Sequence, residues 1–119
     1  MTQEDKELLR KDLCARLPYS VHIYTKMNNS PIRARVMLDF YHIRMLNQNK
    51  FEFIKPYLFP LSSMTEEQRQ EFENITTIKD GILTVWTTSS YDWLNENHFD
   101  YRGLIKKGFA IDATGLNIY

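Results

Sequence analysis

Two prolines four residues apart, Pro56 and Pro60, lie in the stretch KPYLFPLSSMTEEQRQEF (55–72) and constrain this chain more than any other feature. Each removes a backbone N–H, so no ladder strand is expected to run through them, and Lys55 and Phe59 just ahead of them are held extended. Tyr57, Leu58, Phe59 and Leu61 make this rigid segment apolar, which predicts a strap lying across a core. A helix start follows. Thr65 is an N-cap, Glu66 and Glu67 lie at the positive end of the helix dipole, and Gln68 stands three residues beyond the cap. Ser63 with Glu66 offers the same pattern two residues earlier. The strap thus joins a strand-rich first half to a second half of helices with one or two strands.

Ahead of the strap, Thr2 caps a helix whose Leu9, Leu13 and Leu17 recur at a spacing of four, with Leu8 and Cys14 flanking the stripe. Lys6, Arg10, Lys11 and Arg16 fill the other positions, and Pro18 stops the helix. From Tyr19 the period becomes two. Val21, Ile23 and Thr25 alternate with His22, Tyr24 and Lys26, and Asn28-Asn29-Ser30-Pro31 makes a turn. Next, Ile32, Ala34, Val36, Leu38 and Phe40 share one face, with Arg33, Arg35, Met37 and Asp39 on the other. Beyond Phe40 the apolar set moves to Tyr41, Ile43 and Met45, a parity flip that requires a bulge or a turn. A second turn at Asn47-Gln48-Asn49 leads to a strand over 51–54. Connections this short make the strands antiparallel.

After the strap, the helix from Thr65 is polar almost all round, with Phe72 and Ile75 as anchors. Asp80-Gly81 is a turn and 82–87 a strand. Ser89 or Ser90 caps a helix carrying Tyr91, Trp93, Leu94 and His98. Asp100 caps a short helix with Leu104 and Ile105, ended by a left-handed Gly108. An extended segment over 109–111, a turn at Thr114-Gly115 and a short strand over 116–119 complete the chain. The predicted fold is α+β: an N-terminal helix with an antiparallel meander of three or four strands, then helices and one or two further short strands. One domain over 1–119 is expected, with subdomains 1–60 and 61–119, since 119 residues, 43% of them hydrophobic, suffice for a single core.

Charge narrows the function. The net formal charge is zero, unlike proteins held to nucleic acid mainly by counterion release. Residues 1–60 nevertheless carry ten Lys and Arg against six Asp and Glu, and 61–119 carry five against nine. Two halves packed together, or an oligomer formed through them, explains this asymmetry most simply. Cys14 is alone, which suits a reducing compartment, and no apolar run is long enough for a membrane span; a soluble, cytoplasmic protein is expected. Four glycines build neither a P-loop nor a dinucleotide fingerprint, and there is no G-x-S-x-G elbow or H-E-x-x-H. No catalytic residue, cofactor or metal site is assigned. An enzyme would have to rest on carboxylates brought together only in space. His98 and Asp100 lack a further ligand at metal spacing and read as a helix end and a cap, while His22 and His42 would meet only across strands.

Two surfaces stand out. Tyr24, Lys26, Arg33, Arg35, Tyr41 and Arg44 interleave aromatic and basic residues in the strand block, as single-stranded nucleic-acid binders do. An ordinary wet sheet face reads the same way. Tyr91, Trp93, Phe99 and Tyr101 crowd into eleven residues and suit a protein-contact patch, for a protein partner or a homo-oligomer. A non-catalytic binding or regulatory protein acting through protein contacts is the favoured expectation, with nucleic-acid binding as the alternative.

The segments KPYLFPLSSMTEEQ (55–68) and DWLNENHFDYRGLIKKGFAIDA (92–113) resemble a family of small uncharacterised proteins found in gut Bacteroidales genomes and their phages, and DLCARLPYSV (12–21) is similar to that family's usual start. The resemblance implies a bacterial or phage cytoplasmic protein, often encoded on mobile elements. It brings no catalytic residue with it.

Overall fold

The first helix, α1 (Gln3–Arg16), begins with a reciprocal cap. Thr2 Oγ1 accepts from the Asp5 N–H at 3.1 Å, and the Asp5 carboxylate accepts from the Thr2 N–H at 3.1 Å. Leu9 and Leu13 are buried and Leu8 and Leu17 partly so, as their spacing requires. Two departures follow. Cys14 is exposed instead of packing beside the stripe. Arg16, expected on the solvent side, is fully buried, because Asp12 one turn earlier is buried with it and holds its charge. This computed structural model describes residues 1–79 and 83–119, with 77–79 and 83–85 described at the level of the backbone.

Strand β1 (His22–Met27) lies between β2 (Arg33–Met37) and β3 (Phe51–Pro60) and is antiparallel to both. The segment with the parity flip is not a strand but a helix, α2 (Phe40–Asn47). Asp39 starts it, accepting the Tyr41 N–H at 2.8 Å, while His42 Nδ1 takes the Asp39 N–H at 3.0 Å. Buried His42 and Ile43 and partly buried Leu46 are one face at helical spacing, which over so few residues imitates a strand slipped by one.

β3 runs through Pro56 to Pro60, contrary to the strap expectation, and pairs with β1 at Ile23↔Pro56. The ladder shows why this is tolerated. Thr25 Oγ1 donates to the Phe53 carbonyl on the β1 edge, and the Ala113 N–H donates to the Leu58 carbonyl on the opposite edge. Successive residues address opposite edges, so Pro56 points its hydrogen-free nitrogen away from β1 and no ladder bond is lost.

Helix α3 (Glu66–Ile75) starts as expected, with Thr65 and Gln68 capping each other. β4 (Thr77–Lys79) and β5 (Leu83–Val85) pair antiparallel; the expected turn at Asp80-Gly81 and the strand start at Ile82 lie outside the described residues. α4 (Thr88–Glu96) is capped by Thr87, earlier than expected, because the Ser90 side chain serves as the reciprocal partner. β6 (Phe99–Asp100) and β7 (Ile111–Asp112) run parallel to β3. Between them α5 (Leu104–Lys107) is held by the Asp100 carboxylate, which accepts the N–H groups of Arg102, Leu104 and Ile105. Gly108 ends α5 at φ +82°, a left-handed conformation that favours glycine. Residues 116–119 form no strand; Tyr119 anchors them instead.

The larger core cluster joins Leu9, Leu13, Val21, Ile23, Leu38, Ile43, Ile54 and Leu58 to Leu104 and Ala110, so the first sixty residues complete their interior with side chains from beyond the strap. A second cluster packs Trp93, Leu94 and Phe99 with partly buried Phe59, Phe72 and Trp86. Among the described residues no helix is long and apolar enough to cross a membrane.

Candidate nucleic-acid interface

Alternation divides the three antiparallel strands into two faces. Val21, Ile23, Thr25, Ile54 and Leu58 turn inward to the core shared with α1 and α2. The register sets the other face out in two rows, Arg35–Tyr24–Lys55 and Arg33–Lys26–Phe53. Strands lie about 4.8 Å apart and rows about 6.8 Å apart. Across the rows the Tyr24 and Phe53 rings stack, with centroids 5.5 Å apart and planes at 26°. None of the six is buried: Arg33 and Arg35 are exposed and the other four half-exposed. Lys26 is paired with Glu52, while Arg33, Arg35 and Lys55 are in no ion pair among the described residues. Tyr57 follows on β3, its phenol pushed up by burial against an opposing pull from Arg35. It therefore stays protonated at neutral pH.

Of the expected basic and aromatic set, Tyr24, Lys26, Arg33 and Arg35 share this face. Tyr41 and Arg44 do not, because they ride on α2; the Tyr41 hydroxyl lies 3.7 Å from the Met27 sulfur. Phe53 and Lys55 take their places. Their signal was the period-two pattern of Phe53, Lys55 and Tyr57 against Ile54, Pro56 and Leu58, hidden by reading Pro56 as a strand breaker.

One end of the face is closed by Tyr119. Its hydroxyl accepts from the His22 N–H at 2.7 Å and donates to the Tyr57 carbonyl at 2.8 Å, filling the place of a β1–β3 ladder bond. Its ring lies on that of His98 at 3.7 Å and 15°, and edge-on to that of His22. Burial pushes the Tyr119 phenol up to about 12. Burial, with nearby Arg16 and His22, pulls His98 down to about 4, so the imidazole is neutral at pH 7.

The aromatic patch is divided. Trp93 and Phe99 are buried and stacked at 5.7 Å, and the Trp93 indole N–H donates to Glu71. Tyr91 is exposed and meets half-buried Tyr101 and Trp86 edge-to-face. The guanidinium groups of Arg16 and Arg102 both lie over the Tyr101 ring, at 5.2 and 4.9 Å from its centroid. Both arginines converge on Asp12, Arg16 at 2.8 Å and Arg102 at 3.0 Å, in a triad that sequence spacing alone did not reveal.

His42 is committed to the α2 cap and pulled below its ordinary value by burial, and His22 to Tyr119. Among the described residues no three His, Cys, Asp or Glu stand together as a metal site. The open face offers stacking surface and fixed positive charge, the chemistry that holds an unpaired base and its phosphate. No protein-family model, curated protein or solved structure matches this chain.

Proposed function

We propose that the protein binds single-stranded nucleic acid, without catalysis, on the sheet face built from Tyr24, Lys26, Arg33, Arg35, Phe53 and Lys55. The observation that supports this reading is the Tyr24–Phe53 stack at the middle of a face whose three cations without an ion pair among the described residues stand on the two flanking strands, Arg33 and Arg35 on β2 and Lys55 on β3. Bases stack on the rings, and Arg33, Arg35 and Lys55 neutralise the phosphates. Because stacking tolerates any base, binding is sequence-tolerant. A cytoplasmic setting in a bacterial or phage context gives access to such strands.

Fluorescence anisotropy with labelled oligo(dT) of about 12 nucleotides tests this. Three neutralised phosphates give a slope of about −2 in log affinity against log salt, or about twentyfold weaker binding from about 50 to 200 mM. Tyr24→Ala weakens binding by about 5- to 150-fold through lost stacking. Charge reversal of Arg33 and Arg35 abolishes it while circular dichroism stays unchanged. Affinity indifferent to both changes refutes the reading. A second reading, contact with a protein partner, is supported by the exposed Tyr91 and its edge-to-face neighbours Trp86 and Tyr101. It predicts that Tyr91→Ala, and not Tyr24→Ala, removes a partner or shifts the elution volume on a sizing column.

A further inference from the structure

We infer that the outer edge of β2 receives an extended peptide as an added strand, one in which acidic and aliphatic residues alternate. Among the described residues β2 is the end of the sheet order and pairs only with β1. The Leu38 N–H donates inward to the Val21 carbonyl at 2.9 Å, so by alternation Val36 and Ala34 also address β1. Arg33, Arg35 and Met37 therefore direct their N–H and C=O groups outward, three donors and three acceptors in a row, and all three residues are exposed. An edge of this kind is a template for another strand.

The side chains around the edge specify the occupant. On the outer face it is lined by Arg33 and Arg35, neither in an ion pair among the described residues. On the other side Ala34 and Val36 are half-exposed, and the segment is flanked by Ile32 and Phe40, which are 71% and 69% exposed. Exposure of that degree at two large apolar side chains beside an open edge marks a contact surface. A strand whose carboxylates fall on the arginine side turns its aliphatic residues toward Ile32 and Phe40, since side chains alternate along it. A second copy of β2 paired along the whole strand does not fit. Two-fold antiparallel pairing centred on Arg35 sets Arg35 against itself, and pairing centred between Arg33 and Arg35 sets one arginine against the other, with like charges directly opposed. The added strand pairs along the five residues of β2.

The experiment uses three labelled heptapeptides: one alternating glutamate with valine, one alternating lysine with valine, and the glutamate peptide N-methylated at alternate amides. Anisotropy is expected to show the first binding at least about tenfold tighter than either of the others, with hydrogen exchange slowed at the Arg33, Arg35 and Met37 amides. Changing Ile32 and Phe40 together to serine weakens the peptide by about tenfold and leaves oligo(dT) binding unchanged, whereas Tyr24→Ala does the reverse, so this inference and the nucleic-acid reading fail separately. Equal binding of the N-methylated peptide, no binding of the glutamate peptide, protection at other amides, or self-association through β2 overturns it.

Discussion

Asp12 supplies the sharpest test of how this fold is held together. It is fully buried, and each carboxylate oxygen receives one guanidinium, Arg16 at 2.8 Å and Arg102 at 3.0 Å. Arg16 is fully buried too, with a further bond to the Phe99 carbonyl at 2.7 Å, and its Nη1 has no hydrogen-bond partner among the described residues. Asp12→Ala leaves a buried cation facing only a carbonyl and the Tyr101 ring. The expected cost is about 3–5 kcal/mol, the usual penalty for breaking a buried pair from one side. Against a total stability of about 6–18 kcal/mol for a chain of this length, that is a large share. With a urea m-value of about 2 kcal/mol per molar, the midpoint falls by roughly 1.5–2.5 M. Arg102→Ala costs about 1 kcal/mol, because its side chain is 18% exposed and water re-solvates the site. Replacing both buried partners, Asp12→Leu with Arg16→Met, restores most of what Asp12→Ala loses, since no unpaired charge remains. Equilibrium urea unfolding followed by circular dichroism measures all three variants. A cost below about 1 kcal/mol for Asp12→Ala, or a double variant no better than the single, refutes the account.

Tyr119→Phe keeps the ring and removes the hydroxyl that joins the His22 N–H to the Tyr57 carbonyl; a loss of about 1–3 kcal/mol in urea unfolding is expected, with faster hydrogen exchange at the His22 amide. His98 has a folded-state pKa of about 4 against an ordinary 6.5, so the unfolded chain binds its proton first. The stability it contributes is complete above pH 6.5 and is lost as pH falls toward 4, by about 1–2 kcal/mol once its partial exposure is allowed for; His98→Phe flattens that part of the pH profile. Asp100→Ala releases three N–H groups at the start of α5 and lowers stability by about 2 kcal/mol, with the Leu104 and Ile105 amides losing exchange protection.

Local chemistry was legible in the sequence. The caps at Thr2 and Thr65, the cap role of Asp100, the left-handed Gly108 and the alternation in β1 and β2 all follow from single residues and short spacings. Errors came where distant partners decide. Pro56 is harmless in β3 because β1 lies on the edge its nitrogen does not face, which depends on a strand thirty residues away. α2 reads as a slipped strand because eight residues are too few to separate a period of 3.6 from a shifted period of two. On the candidate face, the four β1 and β2 residues were legible from alternation, while Phe53 and Lys55 were concealed behind the proline. The Asp12 triad left only a faint trace: an Asp–Arg pair at positions i and i+4 looks like any solvated helix pair until Arg102 is brought in from ninety residues away.

The hydroxyl of Tyr119 also has a meaning in time. It closes a gap between His22 and Tyr57, and it is made 62 residues after the second of them. At about 5–20 residues per second, a nascent chain carries that gap for roughly 3–12 s. Over that interval the His22 N–H and the Tyr57 carbonyl lack the hydroxyl that joins them in the folded chain.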